Sequence, residues 1–140
     1  MAQPTEPSGE AGQHSHANPF VDYLGLQFDE EDEDHVVCRM VVTDNIRNRT
    51  GAVHAGALLA MADMSATILA RQGVEVGPAG EGFPLAIDVH GVLVGNQRDG
   101  EVRAEARIVR RGRRVTVVRT RITGEDGRLL TEVTTTHIPA

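Results

Sequence analysis

The stretch from Gly51 to Arg71, GAVHAGALLAMADMSATILAR, holds the residues of this chain whose types and spacing suit chemistry. One carboxylate, Asp63, stands inside an apolar run of good helix formers, with no Gly or Pro between Gly56 and Gly73. An acid in such surroundings must be paired, interfacial or there for chemistry. If it is there for chemistry, apolar surroundings make it a better base. His54, Ala55 and Gly56 open the run, and Asn48 precedes them in a loop. A helix start presents unpaired N–H groups and a partial positive charge, which suits the oxygen of a tetrahedral intermediate. The plainer alternatives are an Asp63 paired with an Arg, and a His54 that bonds near the helix start as a structural residue.

The elements that must position these residues follow from hydrophobic period. A helix apolar nearly all round belongs inside something that wraps it. Residues 1–17 lack an apolar period and are expected to form a disordered leader, His14 and His16 included, ahead of a single domain over residues 18–140. Asn18-Pro19 starts a short helix carrying Phe20, Tyr23 and Leu24. Leu26 and Phe28 begin an extended stretch, residues 29–34 (DEEDED) read as a solvated turn, and Val36, Cys38, Met40 and Val42 alternate as a half-buried strand. A loop over residues 44–51 enters the central helix, and a Gly-rich connection over residues 73–82 leaves it. The period is then two: Phe83 to Val89, Val102 to Ile108, Val118 to Ile122 and Leu129 to Ile138, with turns at residues 96–100, 111–113 and 124–127. This order predicts an α+β domain in which an antiparallel sheet with one apolar face curls around the helix.

Composition narrows the function classes. A chain of 140 residues fits one domain with a real core. A net charge of −6 and 3% aromatic residues without Trp argue against a stacking surface for nucleic acid. The single cysteine, Cys38, has no internal disulfide partner and no metal-ligand spacing around it, which favours a reducing compartment and a buried, inert thiol. No basic, apolar signal peptide opens the chain, and Asp63, Ser65 and Thr67 interrupt the helix too much for a membrane span, so a cytoplasmic location is expected. There is no Gly-rich phosphate loop after a strand and no nucleophile elbow. Arg110, Arg111, Arg113 and Arg114 bracket Gly112 in an otherwise acidic chain; they are either a solvated turn or a set of guanidinium groups suited to phosphates.

Asn48-Arg49-Thr50-Gly51-Ala52-Val53-His54-Ala55-Gly56, followed by Asp63, resembles the motif of the hotdog-fold acyl-CoA thioesterases of the phenylacetyl-CoA and 4-hydroxybenzoyl-CoA thioesterase type. That motif runs Asn, Gly, His-Gly-Gly, then Asp or Glu on the helix, and the likeness extends from about Asn18 to Ile138. It implies a hotdog fold, with a curved antiparallel sheet of about five strands wrapped around one long helix. It also implies hydrolysis of an acyl-CoA thioester to a free acid and CoA without metal or other cofactor. On the same grounds Asp63 is the general base or nucleophile, the backbone N–H of Ala55 polarises the carbonyl, Asn48 helps hold the water, and His54 and Gly56 complete the candidate catalytic set. Arg110, Arg111, Arg113 and Arg114 become candidates for the CoA phosphates, and Ala66, Thr67, Ala86 and His90 for the substrate pocket near Asp63. The resemblance further implies a homodimer, and a homotetramer as a dimer of dimers, with no nucleic acid or membrane partner.

The chain departs from that family at three places. Ala55 replaces the usual Gly, so its dihedrals must suit a residue with a Cβ. Val94-Gly95 stands where many members have Arg-Pro. Ala86 stands where some have a Ser that assists the water; Asp88 and His90 share its strand face by period two and could substitute. Geometry adds one expectation: Ala55 and Asp63 are eight residues apart, roughly 12 Å along a helix axis at ~1.5 Å per residue, so a single carbonyl cannot meet both on one helix. Two antiparallel helices across a two-fold axis would give two equivalent sites, each with Asn48 and Ala55 from one subunit and Asp63 from the other. A non-catalytic acyl-CoA-sensing module and a hydratase are the rival readings, by fold analogy alone. The acyl group, and base against nucleophile for Asp63, stay open.

Overall fold

A computed structural model describes residue 16 and residues 18–140. Most of the expected leader therefore lies outside the described residues, but His16 does not. It packs edge-on against Phe28 at 4.9 Å between ring centroids and bonds the Glu31 carboxylate. Helix α1 (Pro19–Leu24) begins where Asn18 accepts the N–H groups of Phe20 and Val21, at 3.0 and 2.9 Å, and ends at Gly25 with φ 69°.

Strands β1 (Gln27–Glu31), β2 (His35–Val41), β3 (Pro84–Leu93), β4 (Glu101–Arg111), β5 (Thr116–Thr123) and β6 (Leu129–Pro139) form one antiparallel sheet in the order β1-β2-β4-β5-β6-β3. The sheet has six strands rather than about five. Half of the acidic run belongs to β1 instead of a turn, because cross-strand cations offset its charges: Arg39 Nη2 donates to Asp29 at 3.0 Å, and a His35 ring nitrogen lies 2.7 Å from Glu30.

The helix α2 (Ala55–Arg71) lies against the sheet. Two apolar clusters hold it there, one around Met40, Leu58, Met61, Val102, Ile122 and Val133, the other around Val36, Ala66, Leu69, Ala106 and Val118. Truncating a residue such as Met61, fully buried, would cost roughly 2–5 kcal/mol. Cys38 is buried as expected, and burial pushes its thiol up to about 12.

Strand β3 is the exception to this burial. Among the described residues it pairs only with β6, which leaves its other edge open. Leu85, Ile87, Val89, Val92 and Leu93 are between 45% and 58% exposed along it. A β-bulge at Ile87 also breaks its period, since Ala86 pairs with His137 while Asp88 pairs with the adjacent Thr136. Ala86 is thereby on the helix side, opposite the buried His137, and so is Gly91, where an added Cβ would lie 2.7 Å from Leu59 of α2. Asp88 and His90 fall on the opposite face. The expectation that they share a face with Ala86 is corrected by that one extra residue. Among the described residues no helix is long and apolar enough to cross a membrane, and no cluster of His, Cys, Asp or Glu has the makings of a metal site.

Candidate functional site

The entry to α2 is built from the loop upward. Asn48 Oδ1 accepts three donors, Thr50 N–H at 2.9 Å, Thr50 Oγ1 at 2.7 Å and Ala52 N–H at 3.2 Å, which fixes its amide nitrogen on the other side. That nitrogen has no partner among the described residues. The loop is stitched in place by Val53 N–H to the Gln97 carbonyl at 2.9 Å and His54 N–H to the Ile46 carbonyl at 2.7 Å. His54 is the N-cap, and its Nδ1 accepts the Gly56 N–H at 2.9 Å. The structural role for His54 is the one the geometry shows.

The Gly56 N–H already serves His54, and the lack of a Cβ at Gly56 matters too, since one would lie 3.0 Å from Nδ1 of that ring. The Ala55 N–H donates to nothing among the described residues, and Ala55 is exposed. Among the described residues none other than glycine has a positive φ, so the Cβ of Ala55 sits without strain where the motif has Gly.

Asp63 lies two turns further along, half-buried, with no hydrogen bond or ion pair to any described residue. The alternative of an Asp63 paired with an Arg is therefore not what the chain adopts. Burial holds its carboxyl above the ordinary carboxylate value, an effect that the nearby His137 opposes. Leu59, Ala60, Met64 and Thr67 share its half-exposed stripe, and the open strand β3 runs beside that stripe. Thr67 stands one turn from Asp63 on that stripe. Ala66 is fully buried in the second apolar cluster. His90 faces away from the helix, which removes it from the same set.

The four arginines divide. Arg111 donates to the carbonyls of Leu69, Ala70 and Gln72 at 3.1 to 3.4 Å and to that of Glu33 at 3.3 Å, so it caps the C-terminus of α2. Its guanidinium is occupied, contrary to a role at phosphates. Arg110, Arg113 and Arg114 are exposed and have no ion-pair partner among the described residues. Arg113 and Arg114, with Arg111 and the buried His137, line a cavity of about 270 Å³ at that end of the helix. A second cavity of about 170 Å³ lies at the other end, between Phe20, Tyr23, Ile46, His54 and Ala57. Sequence reasoning placed neither Phe20, Tyr23 nor His137 at a site. Phe20 and Tyr23 are more than half exposed on a short helix, the only available hint; nothing marked His137 within an alternating strand.

A family model described as a domain of unknown function (DUF4442) matches residues 13–138. A Pseudomonas aeruginosa protein named "Putative esterase PA1618" is 25% identical over 114 residues, which are 81% of this chain and 77% of that protein. The crystal structure of a variant of the Staphylococcus aureus thioesterase SAV0944 superposes with a TM-score of 0.82 at 22% identity, covering 87% of this chain and 98% of that one. A Ralstonia eutropha structure described as "a putative thioesterase, phenylacetic acid degradation-related protein" gives 0.79 at 25% identity, over 90% and 93% of the two chains. Two structures of the Staphylococcus protein carry Ala in place of a Gln in one and, fifteen positions further on, of a Glu in the other.

Proposed function

The chain belongs to the DUF4442 family and has the hotdog fold, and from that premise we propose that it hydrolyses an acyl-CoA thioester to a free acid and CoA. One observation carries the reading: Asp63 is an unpaired carboxylate, held above its ordinary pKa by burial, on the face of α2 beside an open apolar strand. Asp63 takes a proton from water as the oxygen adds to the thioester carbonyl, or attacks the carbonyl itself. The Ala55 N–H and the Asn48 amide nitrogen meet the charge that forms on the carbonyl oxygen. On the first route the C–S bond then breaks and the thiolate takes up that proton; on the second the thiolate leaves behind a mixed anhydride on Asp63, which water hydrolyses to the free acid and the restored carboxylate, with the released proton going to the thiolate. The proposal calls on no metal and no cofactor. Asn48 and Asp63 are an amide and an acid fifteen positions apart, the separation of the two residues replaced in the Staphylococcus thioesterase.

The site needs two chains. Ala55 and Asp63 are roughly 12 Å apart along α2 at ~1.5 Å per residue. The open edge and exposed apolar side chains of β3 supply a surface on which a second copy would bring its own α2 alongside. Arg110, Arg113 and Arg114, which are not tied up as Arg111 is, would meet the phosphates of CoA. The test is thiol release across short, long and aromatic acyl-CoAs with the wild-type chain and Asp63→Ala. Turnover lost in the variant supports the reading. Binding of acyl-CoA without thiol release by the wild-type chain would make it a sensing module instead.

A further inference from the structure

Asn48 presents its amide nitrogen only while its amide oxygen is held, and two of the three donors on that oxygen, an N–H and a hydroxyl, belong to Thr50. What holds Thr50 lies outside the motif. Arg98, in the loop between β3 and β4, donates from Nη1 to the Thr50 carbonyl at 2.5 Å. Across the same peptide the Gly51 N–H donates to the Asn48 carbonyl at 3.0 Å, so the Thr50–Gly51 peptide is gripped at both ends. Gly51 also makes room for the guanidinium: its φ is 84°, and a Cβ there would lie 3.0 Å from Arg98 Nη1.

The backbone aims Arg98 at that carbonyl. The Gln97 carbonyl accepts the Val53 N–H at 2.9 Å, the Arg98 carbonyl accepts Arg47 Nε at 3.2 Å, and the Asp99 carboxylate accepts Arg47 Nη2 at 2.8 Å. Residues on both sides of Arg98 are thus tied to the segment that carries Asn48. Gln97 is anchored in turn to the turn between β5 and β6, where its Oε1 accepts the Glu125 N–H at 3.0 Å. Arg98 itself is exposed, and among the described residues its guanidinium bonds only the Thr50 carbonyl. That bond is charge-assisted, which makes it stronger than a contact between neutral groups.

We propose that Arg98 is a positioning residue for Asn48: its guanidinium pins the Thr50 carbonyl, Thr50 pins the Asn48 oxygen, and the amide nitrogen is left facing the substrate. This rests on the reading of Asn48 as a donor to the thioester carbonyl. Arg98 touches no reacting atom, so its loss acts on the chemical step through the placement of that donor. A misplacement of about 1 Å can cost roughly a hundredfold in rate. With the Ala52 N–H and the Gly51 turn still in place, removal of the one tether should cost less, about three- to tenfold in kcat.

The experiment is a double-mutant cycle in kcat with a second arm that needs no turnover. Arg98→Ala should lower kcat by that factor with KM for CoA esters within about twofold, and Arg98→Lys, which can still donate to the Thr50 carbonyl, should recover part of the loss. On an Asn48→Asp background, where the amide donor is already gone, Arg98→Ala should lower kcat almost no further. Losses that add in full overturn the proposal, because a residue that merely steadies the fold would act equally on both backgrounds. A change confined to KM would assign Arg98 to the CoA phosphates and overturn it as well. A wild-type kcat in Asn48→Asp removes Asn48 from the mechanism and this proposal with it, whereas a lowered kcat there with additive losses removes this proposal alone. In the second arm, the backbone order parameters of Thr50 and Gly51 are measured by NMR in the wild-type chain and in Arg98→Ala. They should fall from about 0.85 to below about 0.6; unchanged values overturn the proposal whatever the kinetics.

Discussion

The two ends of α2 have been finished in opposite ways. At the C-terminal end Arg111 gathers the carbonyls of Leu69, Ala70 and Gln72, so the partial negative charge there is met by a guanidinium from β4. At the N-terminal end His54 takes the Gly56 N–H, the His54 carbonyl takes those of Ala57 and Leu58, and the Ala55 N–H is left pointing at no described partner. A stabilising cap would close both ends. On the proposed reading, the open donor at Ala55 keeps a positive pole for a charge that arrives from elsewhere, so that one end would hold the helix and the other would offer chemistry.

Substitutions at either end of α2 would separate the two roles. Asp63→Asn should lower turnover by about a hundredfold or more, since the group that handles the proton is lost; a wild-type rate would end the account. Asn48→Asp keeps the oxygen that holds Thr50 and Ala52 and removes the amide donor, so it should cost roughly tenfold to a hundredfold in kcat. If only Asn48→Ala impairs the enzyme, Asn48 serves the loop and not the substrate. Reversing Arg113 and Arg114 to Glu should raise KM for CoA esters several-fold and leave a truncated thioester without phosphates unaffected, with the gap shrinking as salt increases.

Arg111→Met should act on the other end alone. It removes charge-assisted hydrogen bonds, about 1–2 kcal/mol after allowing for solvent, and should lower Tm by several degrees with kcat nearly unchanged. The smallest effect concerns Asp63 again. Its folded pKa is raised, so the folded chain holds that proton more tightly than the unfolded one, and stability falls as pH rises through the window above 3.8. Asp63→Asn should therefore gain a little in Tm at neutral pH, a gain that disappears below that window.

The helices and the succession of strands along the chain were legible because each rests on local pattern. The run from Ala57 to Ala70 carries its own period, and Asn18-Pro19 announces its own cap. What stayed hidden depends on pairing between distant segments. The bulge at Ile87 is invisible in an alternating apolar string, and it alone sends Asp88 and His90 to the other face. Arg111 differs from Arg113 by two positions, but only the packing of β4 against α2 makes one a cap and leaves the other free. His137 looked like any polar residue of a strand until β6 was placed beneath the helix.

Subunit complementation tests the two-chain site most directly. An Asp63→Ala chain is mixed with an Asn48→Ala chain and allowed to exchange subunits. If each site takes Asn48 and Ala55 from one chain and Asp63 from the other, every heterodimer has one site with both lesions and one with neither. Half of the dimers are mixed at equal input, so activity should rise to about a quarter of the wild-type level, above both parents. Verified exchange with activity no higher than the parents would place the site within a single chain and contradict the account.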